Sequence, residues 1–275
     1  MKIPQPANMI CSEKKNVLGI MINVTDYDHS VESVIEAARS KKPFAVTALA
    51  VHGLMCGVLD RELRYRLNSF DLVVPDGQPV RWALNWLHHA RLRDRVYGPN
   101  LTLAVCRRAE QAQLSVFFYG ATPEILEKLT RCVSRQFPRL NVAGSQSSKF
   151  RRISLAEKTE IIQSIRGSGA SIVFVGLGCP RQEVWVYEFC ASLGVPVVAV
   201  GAAFAFIAGM LPQAPPRMQD LGLEWLFRLW SEPMRLWRRY LFLNPTYLCL
   251  LLLQRFRIMR FCDPGVAPIQ ETRFG

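Results

Sequence analysis

The chain reads as an α/β protein: an open, mostly parallel sheet with helices on both faces, followed by a C-terminal amphipathic helical appendage. Three observations lead there. Short apolar runs alternate with longer segments of helical periodicity, the order that builds parallel sheets. Several of those runs are continuously apolar, as strands covered on both faces are. After about Pro212 the alternation stops, and the composition shifts to Trp, Leu and Arg with no Lys.

Taken in order, Val17–Val24 is the first strand candidate, and the helix Ser30–Ser40 follows where Asp28 or Ser30 can cap it. Phe44–Leu49 is the second strand, and one long helix is expected over Val51–Leu67. The run Leu72–Val74 meets Pro75, then Asp76 and Gly77, before a helix over Pro79–Arg91. A helix over Asn100–Gln113 leads to the strand Ser115–Tyr119. Gly120 and Thr122 then turn the chain, and Pro123 takes a first helical position in Pro123–Phe137. Leu140–Ala143 is the next strand and Leu155–Gly167 the next helix. Ser171–Gly176 runs through the Gly176-Leu177-Gly178 turn into the helix Arg181–Leu193, and Val195–Gly201 closes the alternation. Residues 1–215 are expected to form the core, 216–260 a basic amphipathic appendage, and 261–275 a disordered tail.

Composition narrows the function. The chain has 275 residues, half of them hydrophobic, which is enough for a large core. A net charge of +12 favours partners that carry phosphate, whether nucleic acid, anionic lipid or small molecule. No nucleic-acid module is legible. The eight cysteines form no CxxC pair, and no histidine lies at zinc spacing from them, so reduced thiols are expected. The N-terminus is too polar for a signal peptide, and no uncharged apolar stretch reaches the length of a membrane span. Within the appendage, arginines 217, 228, 235, 238, 239, 255, 257 and 260 outnumber Asp220, Glu224 and Glu232 by five. Arg and Trp at helical spacing suit an anionic membrane surface; a helical hairpin packed on the core is the plainer alternative.

Ligands of open α/β sheets bind at the carboxyl ends of the strands. Asp76 stands at one such end, as a base or as a cap for the helix from Pro79. An aspartate has an ordinary pKa of about 3.9, so Asp76 is expected to be ionised and able to accept a proton. Gly176 and Gly178, and the second turn at Gly120, let backbone amides approach a diphosphate; close packing is the other explanation. The dinucleotide fingerprint GxGxxG is broken by Arg181, which argues against a nicotinamide enzyme. Arg95, in a basic cluster before Gly98, faces either phosphate or solvent. Asp26-Tyr27-Asp28 matches a metal-binding DxD, but precedes a helix, where capping explains it. His52 reads as structural, Cys179 as a small turn residue.

The segments VTALAVHGLM, DLVVPDGQPV, RVYGPNLT, VFVGLGCPRQEVW, VGAAFAFIAG and LGLEWLFRLWSEPMRLWRRYL, spread over Val17 to Leu241, resemble the WecG/TagA/CpsF glycosyltransferases. The resemblance implies a Rossmann-like, inverting glycosyltransferase without a metal or other cofactor. Its donor would be a UDP-sugar and its acceptor a sugar on undecaprenyl diphosphate, in bacterial surface-polymer synthesis. It would be cytoplasmic and peripheral on the inner face of the plasma membrane, with self-association left open. A membrane-associated nucleotide-sugar-binding protein without activity is the alternative. By resemblance Asp76 is the base, Thr47 lies beside it, Gln182 lines the donor site, and Arg228, Arg235 and Arg238 reach the diphosphate. The chain departs from the family pattern at Leu49, Asn100, Ala205 and Ser147–Phe150, all expected near the sugar pocket.

Overall fold

The computed structural model describes residues 13–275. It opens with a hairpin rather than one strand. β1 (Lys14–Val17) and β2 (Ile20–Asn23) pair antiparallel. The turn residues Leu18 and Gly19 both have positive φ, as a two-residue hairpin turn needs. The single strand expected over Val17–Val24 is corrected accordingly: Gly19 folds the run back on itself, outside the main sheet.

Next come α1 (Tyr27–Arg39), β3 (Phe44–Leu49), α2 (Val51–Leu59) and α3 (Arg61–Asn68). Asp26, not Asp28 or Ser30, caps α1 by accepting from the His29 amide. The expected helix over Val51–Leu67 is two helices. Asp60 leaves helical geometry and its carboxylate accepts from the Glu62 and Leu63 amides, which starts α3 afresh.

The chain continues through β4 (Leu72–Pro75), α4 (Gln78–His88), α5 (Gly98–Gln111), β5 (Ser115–Gly120), α6 (Pro123–Gln136), β6 (Asn141–Gln146), α7 (Leu155–Gly167), β7 (Ile172–Gly176), α8 (Arg181–Leu193), β8 (Pro196–Ala199) and α9 (Ala203–Ile207). Six strands form one parallel, Rossmann-like sheet in the order β4-β3-β8-β7-β5-β6. From β3 the chain steps outward to β4, whereas the far half returns through β7 to β8. Their meeting line, β3 against β8, is where such sheets open a crevice.

Period-two alternation splits each strand between two cores. Val73, Phe117, Tyr119, Val173, Val175 and Val197 face one side, with residues of α2, α3, α4, α7 and α8 and with Tyr247 and Leu251 from the appendage. Leu72, Val74, Val116, Phe118, Phe174 and Val198 face the other, with α1, α5, α6 and α9. On the first side Tyr119 stacks on Trp185 at 4.6 Å, and Trp185 on Phe189 at 4.2 Å. Rings of this size bury about 150–250 Å² each, roughly 4–6 kcal/mol apiece before entropy at about 25 cal/mol/Å². That stack pins α8, whose first turn carries Gln182 and Glu183.

The appendage comprises α10 (Pro216–Asp220), α11 (Glu224–Ser231), α12 (Pro233–Arg238), a π-helical turn (Arg239–Leu243) and α13 (Asn244–Arg255). α13 docks on the core: the Tyr247 hydroxyl donates to Pro79 O at 3.0 Å, and Gln254 exchanges hydrogen bonds with Leu18 and Asn16. Trp230 and Met234, on α11 and α12, are almost fully exposed. Among the described residues, no helix is long and apolar enough to cross a membrane.

The last residues correct the expected disordered tail. Glu188 accepts the Thr272 and Arg273 amides at 2.7 and 2.9 Å. Asp263 pairs with Arg61 and Arg64, and Gly275 is held by Ser148 and Arg151. Partners for backbone amides and for a carboxylate, spaced along residues 261–275, fasten the segment to the core.

Candidate active site

A cleft of about 1190 Å³ lies across the carboxyl ends of β3, β4, β7 and β8. Its floor is made by Ala48–Gly53, Asp76–Pro79, Gly178–Cys179 with Gln182–Glu183, and Val200–Ala203; the appendage supplies the opposite wall from Gly222 to Leu248. Drug-sized ligands fill pockets of about 300–1,000 Å³, so this volume admits a donor and the head of an acceptor together. A second, shallower hollow of about 530 Å³ beside α6 holds none of the expected site residues.

Asp76 follows β4 directly and lines the cleft. It does not cap α4: the cap position is Gly77 and no side chain fills it. Its Oδ1 instead accepts the amide of Gly98 at 2.7 Å, at the start of α5. The carboxylate therefore closes the N-terminus of a neighbouring helix across the fold, where a negative charge is favoured. A Cβ on Gly98 would press on Val200 O at 3.1 Å, whereas 3.8 Å from Asp76 Oδ1 is ordinary contact.

Burial raises the Asp76 pKa to about 6, with Arg95, the Gly98 amide and Arg228 pulling it down and Glu224 pushing it up. The ordinary carboxylate value expected from sequence is thus corrected upward: at neutral pH the group is mostly ionised, yet close enough to its pKa to trade a proton.

Arg95 is buried and heavily engaged. Nη1 pairs with Glu224 at 2.8 Å, Nη2 donates to Gln219 Oε1 at 3.0 Å, and the guanidinium lies 4.2 Å from the Tyr97 ring centre. Burial of its charge is offset by Glu224 and Asp76, which hold its pKa above the usual arginine value. These contacts tie α10 and α11 to the core. Arg228, one turn after Glu224, lines the cleft with its guanidinium 5.8 Å from the Phe206 ring centre. Arg235 and Arg238 fall on α12, but their side chains lie outside the described residues.

Thr47 and Gln182 meet at Glu183, which sequence reading did not single out. Thr47 is fully buried in β3 and its hydroxyl donates to Glu183 Oε1 at 3.2 Å. Gln182 donates to the same oxygen at 2.9 Å and accepts the Gly201 amide at 2.8 Å. The trio binds the ends of β3, β7 and β8 together beneath the cleft. Thr47 is under the floor, whereas Gln182 and Glu183 line it. Burial pushes the Glu183 pKa up, opposed by hydrogen bonds from Gln182 and Thr47. The signal for Glu183 was available: it is an acid set inside the apolar stretch that follows the Gly-rich turn.

The glycines divide. Gly178 lines the cleft and has φ +75° with open space beside it, so conformation demands it. Gly120 and Gly176 are not among the lining residues. A Cβ on Gly120 would sit 2.8 Å from Gly176 O, and one on Gly176 2.5 Å from the Phe204 ring; close packing accounts for Gly176, and close packing with a φ of +106° for Gly120. Of the departures from the family pattern, Leu49 lines the cleft, while Asn100 and Ala205 are not among its lining residues.

One group of metal-capable side chains occurs among the described residues: His52, Cys56 and Cys179, with ligand atoms all within 4.8 Å of one another. The expectation that no histidine stands at metal spacing from a cysteine is corrected, because His52 and Cys56 are four apart on α2. Asp26 of the DxD is occupied in capping α1.

The model of the glycosyl transferase WecG/TagA/CpsF family matches residues 15–260. The chain is also similar to an N-acetylglucosaminyldiphosphoundecaprenol N-acetyl-β-D-mannosaminyltransferase of Bacillus spizizenii, at 31% identity over 182 residues, 66% of this chain and 68% of that protein.

Proposed function

Because the chain belongs to the WecG/TagA/CpsF family of glycosyltransferases, we propose that it moves an N-acetylhexosaminyl or hexosyl unit from a UDP-sugar onto a sugar carried by undecaprenyl diphosphate. Transfer inverts the anomeric carbon and requires no metal. The acceptor assignment leans on the B. spizizenii relative, whose name gives N-acetylglucosaminyldiphosphoundecaprenol as its acceptor. The observation that carries the reading is the Asp76 carboxylate, exposed to the cleft and poised near pKa 6 between Arg95 and Arg228.

In this mechanism Asp76 accepts the proton of the acceptor hydroxyl as that oxygen attacks the anomeric carbon. The bond from the anomeric carbon to the diphosphate breaks, and UDP leaves with the electron pair. Arg228 and the amides near Gly178 offset the charge that develops on the leaving diphosphate. Gln182, fixed by Glu183 and Gly201, shapes the donor side of the cleft. The Gly98 amide holds Asp76 in place, so little reorganisation is needed as its charge changes. Thr47 acts through Glu183 and belongs to the support of the site.

The appendage brings the cleft to the lipid. Trp230 and Met234 project from α11 and α12, and arginines near an anionic leaflet each add about 1 kcal/mol of attraction. The protein is proposed to sit peripherally on the inner face of the plasma membrane, with α11 and α12 against the leaflet.

The direct test is product formation by the full-length chain, given a panel of UDP-sugars and undecaprenyl-diphosphate-linked N-acetylglucosamine with EDTA present. Transfer from one donor with inverted configuration is expected. Failure of every UDP-sugar, or activity that returns only with a divalent metal, refutes the assignment.

A further inference from the structure

Three metal-ligating side chains meet at the floor of the cleft, and the transfer chemistry uses none of them. His52 and Cys56 lie one turn apart on α2, a spacing that puts both on one helix face. Cys179, in the turn between β7 and α8, reaches the same helix: a Cβ on Gly53 would stand 3.4 Å from its Sγ. Cys56 Sγ is 3.8 Å from the His52 ring nitrogens, and all three ligand atoms lie within 4.8 Å of one another. Tetrahedral zinc, with bonds of about 2.3 Å to sulfur and 2.0–2.1 Å to nitrogen, holds S and N about 3.6 Å apart and two sulfurs about 3.8 Å apart. Cys56 Sγ stands equally far from both ring nitrogens, so the His52 ring must turn to aim one of them, and Cys179 must close in by about 1 Å, for the three to share one ion.

A second observation points the same way. Glu183 is 1% exposed, and its carboxyl group takes a hydrogen bond from the Cys179 side chain beside those from Gln182 and Thr47. That contact sets a buried acid directly against one of the three ligand atoms. Beside a dication the acid becomes a counter-charge or a fourth ligand.

We propose that His52, Cys56 and Cys179 form a binding site for a thiophilic divalent cation, zinc foremost, with the Glu183 carboxylate as its neighbouring anion. Binding sends the two thiol protons to solvent, and the two thiolates and the neutral imidazole donate to the metal. His52 and Cys179 line the cleft, so the bound cation sits at its floor, where the two thiolates balance its charge and cross-link α2 to the turn before α8. Its binding is independent of whether Asp76 acts as the base.

The test is a titration of the full-length chain, kept reduced with a phosphine, with Co2+ followed by Zn2+. The expected result is one saturating equivalent with a thiolate-to-cobalt charge-transfer band, which zinc then removes. Cys56→Ser and Cys179→Ser each weaken binding by more than about tenfold, whereas the triple variant Cys132→Ser, Cys249→Ser, Cys262→Ser, at exposed positions, binds as the parent does. His52→Gln keeps the band at reduced affinity. Absence of a saturable band in the parent chain overturns the proposal. So does a band that survives both Cys56→Ser and Cys179→Ser, or one lost in the triple variant. If a serine variant fails to fold, the parent chain and the triple variant still decide the outcome.

Discussion

Asp76→Asn should make the protein more stable while it loses activity, and the gain should depend on pH. The Asp76 pKa is raised from 3.8 to about 6 on folding. A raised pKa means the folded state holds the proton more tightly than the unfolded chain. The associated stability is therefore full below pH 3.8 and is lost as pH rises through about 6. At pH 7.5 the full shift corresponds to a penalty of about 3 kcal/mol, and at pH 4.5 to about 1 kcal/mol. The cleft admits water, and screening reduces the first figure to about 1–2 kcal/mol. Asparagine is of equal size, keeps an oxygen for the Gly98 amide and carries no charge. For a chain of this length about 1 kcal/mol is worth roughly 2–4 °C, so Asp76→Asn should melt about 2–8 °C above the parent at pH 7.5. The difference should shrink toward pH 4.5. Thermal melts at the two values, in the same salt, measure it. An Asn variant less stable than the parent at pH 7.5, or a gain that does not shrink with acid, would refute the electrostatic reasoning.

Other consequences are as specific. The acidic limb of kcat/KM should report the same group: with a pKa of about 6, the ionised fraction falls about tenfold between pH 7 and pH 5, whereas an ordinary aspartate leaves the profile flat there. Glu224→Gln removes a negative neighbour of Asp76, and the limb should move to lower pH. Gly176→Ala drives a methyl into the Phe204 ring and should lower stability by about 1–3 kcal/mol, read by urea denaturation. Thr47→Val removes a donor from Glu183 and should cost about 1–3 kcal/mol, with a smaller effect on KM than on stability. Replacing Trp230 and Met234 by Asp should release the protein from anionic liposomes without lowering its Tm, since both side chains are exposed in the isolated chain.

Much of the frame was legible because local chemistry and tertiary context agree. Apart from the polar edge strand β6, the strands of the main sheet from Phe44 onward lie in largely apolar, mostly buried runs, and every crossing has helical periodicity. The errors fall where a single residue overrides a run. Gly19 bends the run Val17–Val24 into a hairpin. Asp60 splits one helix into two by capping the second. The tail from 261 to 275 has a loop-like composition, yet Glu188 and Asp263 supply partners that no local pattern reveals.

The site was legible in outline only. Asp76 at a strand end is a local signal, but its hydrogen bond to Gly98 spans 22 positions and its raised pKa comes from burial in the folded chain. Arg95 was readable as a basic residue, not as the partner of Glu224. Glu183 was overlooked because helical acids are usually solvated, and only the fold brings Thr47 beneath it. The cysteines looked scattered because Cys179 is more than a hundred positions from His52 and Cys56.

The central claim is that the Asp76 carboxylate takes the acceptor's proton. Single-turnover transfer by Asp76→Asn, beside calorimetric binding of UDP to the same preparation, tests it most directly. A rate lowered by about 10²–10⁴, with UDP affinity unchanged within about twofold, is what proton abstraction by Asp76 predicts. Transfer by the variant within a few-fold of the parent, with UDP bound equally well, would contradict it.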